Sequence, residues 1–598
     1  MRLALAISTL IVTVLAAGSP AAAAQPPPSG HIRVDQVGFA PGEAKHAYLM
    51  TTGAAAGARF KVLDRYGRVV LNGRAGHDLG AWNAAYPHVY DLDLSRLRKP
   101  GRYRVTSAGL TSPPFEIAPG SPAPAIMTFF RGQRDGGARH RNDRAASVYE
   151  WPAFTGPDTD VIKGTLTRIG GPVDVEGGWF DAGDYLKFTH ILAYVDTLMW
   201  ASIRDGGDQR LAKEARHGLK YLDKMWDGDS KTLYIQVGIG AGDEAGTFSG
   251  DHDVWRLPES DDTSEHPYLK NRPVFRAAPP GEPISPNLAG RTAAAFALAA
   301  QLEPDPRRAA SLLEEGASVY AMARTTDVGQ LVTSLPYAFY PESAWRDDME
   351  LGAAELALAA QRLRDPRAAD WLGQAAHWAG EYLRHEAGGD TFNLYDVSAL
   401  AHRDLVRALR AHGAGAPGIG ARLIADLRAQ LEIGVARAAK DPFRAGAAHD
   451  QFDAVPHAFG LAVTSVLYRT VTGDRTYDAF GTQQRGWAFG ANPWGVSFVA
   501  GVGTNAIRCP HYQMSNITGG PATGAVVNGP NSASLFDDGL GGHLDGMKPC
   551  PADGVDRYAQ FTGRGSRFVD DVRSWQASEP ADDFAAVALY AMSLMPGR

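Results

Sequence analysis

The chain has 598 residues, with 59 Lys and Arg against 66 Asp and Glu for a net charge of −7. That length calls for two or more domains rather than one small core. No long run of either sign is present to grip a nucleic-acid backbone or an anionic membrane, and two cysteines exclude a disulfide-stapled scaffold.

The opening, "MRLALAISTLIVTVLAAGSPAAAAQ", sets Arg2 before an apolar run over 3–18, and small residues up to Ala24 offer an A-x-A type cleavage site. This predicts a secretory signal peptide over 1–24 and a secreted protein, extracellular or periplasmic. A membrane anchor is the competing reading, but the run falls short of the roughly 20 apolar residues that a spanning helix needs. Nothing later in the chain is long and apolar enough to span a bilayer.

Over 31–118 the pattern alternates with a period of two, as in "KHAYLMTT", "FKVLDRYGRVVLNG" and "VYDLDLSRLRKPGRYRVTS". Tyr90, Leu92 and Leu94 face one way, Asp91 and Asp93 the other. Pro100-Gly101 makes a turn before Tyr103 and Val105 resume the alternation. Several such strands in a short span predict an immunoglobulin-like antiparallel β-sandwich. The linker "APGSPAPA" then separates it from a second domain over 125–598.

In that domain helical spacing dominates: "YLKFTHILAYVDTLMWASI", "TAAAFALAAQL", "LGAAELALAAQRL", "FGLAVTSVLYRTV" and "FAAVALYAMSLM" are apolar over a broader face than a surface helix requires. Three end in acidic stops, "QLEPDPR", "RLRDPR" and "VTGDRTY", that begin the next element. The recurrence predicts stacked α-hairpins, open as a solenoid or closed into a ring. Long Gly-, Asp-, Trp- and Pro-rich loops at 235–287 and 490–578 are the places to seek a substrate site.

Two loops carry candidate chemistry. In "GGWFDAGDYLKF", Asp184 precedes a helical pattern and by itself reads as an N-cap worth about 1 kcal/mol. Asp181, three residues earlier, is not needed for capping. Close carboxylates repel, and they persist where they share a proton, a metal or a water. In "VDDVRSWQASEPADDFAAVALYAMSLM", Asp582 and Asp583 suit the first turn of a helix, and Glu579 stands just before Pro580. As a general acid, Glu579 must keep its proton against a helix dipole that favours the charged form, so burial or a neighbouring carboxylate has to raise its pKa.

"GGWFDAGDYLKF" resembles the Asp-Ala-Gly-Asp signature of glycoside hydrolase family 9, the inverting cellulase family, and "SEPADDFAAV" resembles that family's C-terminal acid motif. "DHDVWRLPE", "YPESAWRDDMELGAAELALA", "FGANPWGVSFVAGVG" and "VVNGPN" match in order between them, and "IRVDQVGFAP" resembles the start of the immunoglobulin-like domain that precedes many such catalytic domains. The resemblance implies a multidomain chain, a small all-β sandwich followed by a large all-α (α/α)6 barrel with a cleft across one end. It implies Asp184 as general base, Asp181 as the residue that shares the attacking water, and Glu579 as general acid, with base and acid about 6.5–9.5 Å apart.

Trp179, Trp255, Trp345, Trp494 and Trp575 lie in or beside these motifs and are candidate sugar platforms or core residues, with Trp255 preferred because "DHDVW" reads as a loop. "RCPHYQMSN" departs from a Pro-His-His-Arg sequence common in the family; its His511 remains a candidate substrate contact. No cofactor is needed for catalysis. Family members bind structural calcium, for which Glu259, Asp261, Asp262 and Glu265 are candidates beside the reading of a solvated acidic loop. The expected partner is a β-glucan polysaccharide or oligosaccharide, met by a monomer with no nucleic acid and no membrane.

The leading function is therefore a secreted endo-β-1,4-glucanase. The alternatives are an exo-acting member, on cello-oligosaccharides or on glucosamine oligomers from chitosan, and a carbohydrate-binding protein without catalysis. An Asp-rich terpene-cyclase reading of "DAGD" and "WRDDME" conflicts with export and with the β domain. Cys509 and Cys550 allow one disulfide, worth about 3–4 kcal/mol by loop entropy, or two buried thiols.

Overall fold

The computed structural model describes residues 29–136, 141–389, 392–413 and 418–595; the expected leader over 1–24 lies outside them. The alternating segment forms β1 (Gly30–Val34), β2 (Gly38–Phe39), β3 (His46–Thr51), β4 (Arg59–Asp64), β5 (Val69–Arg74), β6 (His88–Asp93), β7 (Gly101–Ser107), β8 (Leu110–Thr111) and β9 (Phe115–Ile117). One sheet runs β1-β3-β6; the other runs β2-β9-β7-β4-β5, with β8 on β7. The register pairs Leu49 with Tyr90 and Ala47 with Leu92, and these side chains join Val62, Tyr103 and Val105 in the sandwich core. Asp91 and Asp93 lie on the opposite face.

In β3 the alternation fails because both faces are covered. Tyr48 and Met50 turn away from the sandwich and, with Val89 and Trp82, enter the core of the helical domain. Trp82 lies edge-on to Phe443 and Trp494 at 5.8 and 5.4 Å, and its indole N–H donates to the Phe561 carbonyl at 2.8 Å. Arg485 crosses the same seam to Glu43 at 2.7 Å.

Among the described residues, twelve helices of eleven residues or more build the second domain: α1 (Ala123–Gln133), α2 (Thr189–Gly206), α3 (Ala212–Met225), α4 (Pro286–Leu302), α5 (Pro306–Tyr320), α6 (Arg346–Leu363), α7 (Ala368–His385), α8 (Ser398–Ala411), α9 (Ile419–Lys440), α10 (Ala454–Thr472), α11 (Asp478–Ala488) and α12 (Asp582–Leu594). The even-numbered helices touch in sequence and α12 returns to α2, so the hairpins close into a ring. The odd-numbered helices form the outer layer, with α3 on α2, α5 on α4, α7 on α6, α9 against α8 and α10, α11 on α10, and α1 on α12. This is an (α/α)6 barrel.

The inner helices are buried nearly all round, which is why their sequences show no polar stripe. Alanine keeps them thin. Where α4 crosses α6, a Cβ on Gly290 would overlap the Asp348 carbonyl. The acidic stops cap the following turns: Asp305, Asp365 and Asp474 accept the amide protons of Arg307, Arg367 and Thr476. A buried ionic network ties the ring together, with Arg204 on α2 reaching Glu355 on α6 at 3.0 Å and Asp404 on α8 at 2.8 Å, while Tyr590 on α12 donates to Asp205.

One expectation is corrected. The helix predicted to follow Asp184 directly begins only at Thr189, because Lys187 and Phe188 pair as a strand with Val237 and Gln236. Asp184 is therefore not its N-cap; Phe188 occupies that position without a side-chain cap.

Candidate active site

Five inner helices are each followed by an outer helix that returns, and α12 is backed by α1 from the start of the domain, so all six inner N-termini open at one end of the barrel. The residues just ahead of them converge there: Asp181 and Asp184 before α2, Tyr340 and Glu342 before α6, Tyr395 before α8, Asp453 before α10 and Glu579 before α12. Tyr395 feels the charges of Asp453, Asp583, Glu342 and Asp181, although these lie on four different segments of the chain.

Hydrogen bonds between backbones fix the loops. The Gln513 amide donates to the Gly183 carbonyl at 2.8 Å, the His511 amide to Ser578 at 2.9 Å, and the Asp582 amide to Asp181 at 2.8 Å. A side chain at position 183 would strike the His511 carbonyl, so this approach requires glycine. Below the loop, buried Lys187 pairs with Asp135 and Asp143 at 2.5 and 2.8 Å, and Asp251 accepts the Tyr185 amide while pairing with Arg256.

The carboxyl groups sit in unlike surroundings. Asp184 accepts the Leu186 amide at 3.0 Å through Oδ1 and the His252 imidazole at 2.8 Å through Oδ2. His252 contacts Asp160 through its other nitrogen at 2.9 Å. Burial opposes charge on this imidazole, but Asp160 and Asp184 outweigh it and raise its pKa well above the ordinary value. Asp181 accepts the Tyr340 hydroxyl through Oδ2, and its buried Oδ1 has no protein partner. Burial and Asp184 push its pKa far up.

Glu579 stands between the short turn Trp575–Ser578 and α12, which begins at Asp582. Burial and the nearby Asp184 raise it to about 8, against the Gly183 amide and His252, which favour its charged form. The tension noted for a general acid beside a helix terminus thus falls on the side of the proton. Asp582 and Asp583 do stand in the first turn of α12, but both are buried, and burial raises each far above the usual carboxylate range.

The aromatic candidates separate sharply. Trp179 is fully enclosed between Phe130 and His217, with its indole N–H on Glu214 at 2.9 Å, so it offers no face to a sugar. Trp494 belongs to the core. Trp345 is buried against Trp378 with Arg346 over its ring. Trp255, although in a loop, is buried edge-on beneath His511 at 5.0 Å and supports that residue rather than presenting a platform. His511 donates from Nδ1 to the Val572 carbonyl at 2.6 Å, and burial lowers its pKa to about 4, so it is neutral with Nε2 as an acceptor. Trp575 is 47% exposed and stacks on Phe452, itself 44% exposed, at 5.9 Å.

Sequence reasoning missed His252, Tyr340, Tyr395, Phe452 and Asp453. His252 and Tyr340 lie inside motifs already singled out. Asp453 is held in left-handed backbone at φ 65°, a feature that concentrates at functional sites. In the acidic loop Asp261 is buried and bidentate to Arg256, while Glu259 and Glu265 are exposed. Cys509 and Cys550 are joined, with their Cα atoms 5.3 Å apart, beside the buried group of Trp255, Met547 and Val572.

Against family models, residues 123–592 match glycosyl hydrolase family 9 and residues 28–112 match the cellulase N-terminal ig-like domain. Endoglucanase B of Cellulomonas fimi is 26% identical over 439 residues, 67% of this chain. This chain spans 38% of that relative's length. Endoglucanase 23 of Oryza sativa subsp. japonica is 25% identical over 69% of this chain and 83% of its own. Among solved structures, a thermostable endoglucanase from Alicyclobacillus acidocaldarius superposes with a TM-score of 0.69 at 20% identity, covering 94% of this chain and 99% of the other. The family 9 endoglucanase J30 superposes equally well at 23% identity, covering 94% and 100%. With the family model running from α1 to within α12, and the ig-like model over the sandwich that precedes it, the chain belongs to glycosyl hydrolase family 9.

Proposed function

We propose that the protein is an inverting endo-β-1,4-glucanase acting on cellulose or a related β-glucan, with Asp184 as base and Glu579 as acid. The observation that carries this reading is the contrast between two carboxyl groups at one end of the barrel. Asp184 is surrounded by donors, and Glu579 is raised to about 8. Glu579 then gives its proton to the leaving glycosidic oxygen as the bond to the anomeric carbon breaks. Asp184 takes a proton from the water that attacks the opposite face, and Asp181, braced by Tyr340, orients that water. The new hemiacetal carries the inverted configuration. Trp575 and Phe452 offer the exposed aromatic surface on which a sugar stacks, and His511 offers Nε2 to a hydroxyl. The family name and the relatives called endoglucanases support the substrate class.

Secretion is supported by the apolar leader and by the Cys509–Cys550 disulfide, which persists in oxidising compartments.

A second reading, exo-action on cello-oligosaccharides or on glucosamine oligomers, is favoured by Asp453, an added carboxyl whose charge reaches Glu579. One experiment separates the two. Products from cellulose, xyloglucan, mixed-linkage glucan and chitosan are sized, and the anomer first formed is read by NMR. A ladder of glucan oligomers with α ends supports the proposal. Single sugars turn it to the exo reading, and β ends remove inversion.

A further inference from the structure

Away from the catalytic end, the seam between sandwich and barrel holds an open cavity of about 480 Å³. Its walls come from β1, β7 and the segment 110–114 on one side, and from Gly495, Thr504 and Asn505 on the other. Arg33, Arg102 and Arg104 line it, and no lining residue is acidic.

Arg33 is the unusual member. Alternation along β1 sends Ile32 and Val34 into the sandwich core and Arg33 to the seam. It is 8% exposed, its guanidinium lies 4.6 Å over the Phe561 ring, and its Nε and Nη2 are buried without a hydrogen-bond partner. Arg485, which crosses the same seam, is matched by Glu43 and Asp35. Among the described residues Arg33 has no such carboxylate. Burial lowers its pKa only to about 10, so it keeps its charge near neutrality. A buried cation without a counter-charge is costly to maintain, and here it stands at the wall of a cavity that a solute can enter. Arg102 and Arg104, on the same face of β7, extend the positive wall to the surface.

We propose that this cavity is an oxyanion site, in which Arg33, Arg102 and Arg104 clamp the carboxylate or phosphate group of a small solute. Planar guanidinium forks match both groups. The barrel side of the cavity is a loop already held by the sandwich: the Gln36 side chain donates to the Gly495 carbonyl at 3.0 Å and accepts the Thr504 and Asn505 amides. An occupant therefore strengthens the union of the two domains.

The test uses the full chain in phosphate, glucuronate and chloride at equal ionic strength, with thermal unfolding and titration calorimetry. Phosphate, glucuronate or both are expected to raise Tm saturably above chloride, and the arm that responds names the group. Arg33→Met, and separately the more exposed pair Arg102→Gln with Arg104→Gln, are expected to weaken binding about tenfold or more while cleavage of a soluble glucan is unchanged. A wild-type protein indifferent to both anions, or an undiminished response in the two variants, overturns the proposal. If Arg33→Met fails to fold, the double variant alone decides.

Discussion

His252 holds Asp184 through Nε2 at 2.8 Å while gripping Asp160 through Nδ1 at 2.9 Å, so one imidazole is suspended between two carboxylates. Its pKa is raised well above the ordinary 6.5. The stability it contributes is fully present below 6.5 and is lost as pH rises through the raised value. His252→Gln should therefore be less stable than the parent at pH 5–6, with the gap narrowing in alkali, by denaturant titration at several pH values. Because Asp184 loses its donor, turnover should fall about 10–100-fold with KM little changed.

In the proposed acid role, Glu579, raised to about 8, should set the alkaline limit of activity. Rates on a natural glucan should decline as pH passes through about 8, and Glu579→Gln should lower them about 10²–10⁴-fold. An aryl glycoside with a good leaving group needs no protonation and should be cleaved nearly as well by the variant. Equal loss on both substrates would remove Glu579 from the acid role. Between the unfolded value of 4.5 and the folded value, the folded carboxyl holds a proton that the unfolded chain releases. Parental stability should then fall with rising pH across that window, and less so in Glu579→Gln.

Asp181 and Tyr340 form a pair whose loss should be read in kcat. Asp184→Ala should reduce turnover about 10²–10⁴-fold and Asp181→Ala should approach that loss, both with unchanged circular dichroism. Tyr340→Phe removes a single hydrogen bond to a carboxyl and should cost about 1.5–3 kcal/mol of barrier. A Tyr340→Phe enzyme with normal kcat would show that Asp181 needs no brace.

The tryptophans allow a contrast. Trp575→Ala should raise KM for long glucans by about 1–2 kcal/mol of lost binding while leaving stability close to parental, because the ring is exposed. Trp179→Ala should do the reverse, costing about 3–5 kcal/mol of stability by opening a cavity in the core. Isothermal binding and thermal unfolding on both variants check the assignment.

Removing the Cys509–Cys550 link by a double Ser substitution should cost about 3–4 kcal/mol. The bond lies beside Trp255 and Val572, which support His511, so KM should rise as well. Unfolding with and without reductant, with kinetics alongside, measures both effects.

The β-sandwich was readable from period-two alternation because only one face of most of its strands is covered; β3 broke the rule where its second face met the barrel. The barrel helices were readable from their breadth of apolar positions, but closure into a ring depends on α12 meeting α2, which no local pattern encodes. Asp181, Asp184 and Glu579 stood out because a motif surrounds them. Tyr395 stands ahead of α8, and Phe452 and Asp453 stand ahead of α10; only the shared polarity of the inner ring brings them together. The preference for Trp255 failed because a loop position does not make an indole exposed: its burial is decided by distant neighbours such as His511.

The double-sided burial of β3 has a practical outcome for anyone wishing to trim this enzyme. Cutting the chain at the linker would strip Tyr48 and Trp82 from Phe443, and Trp82 from Trp494, and would take Met50 and Val89 out of the shared core, leaving a greasy scar on the barrel beside the loop that leads to His511. The amino-terminal module is thus less a detachable accessory than a wall of the catalytic body, and a shortened protein should clump rather than work.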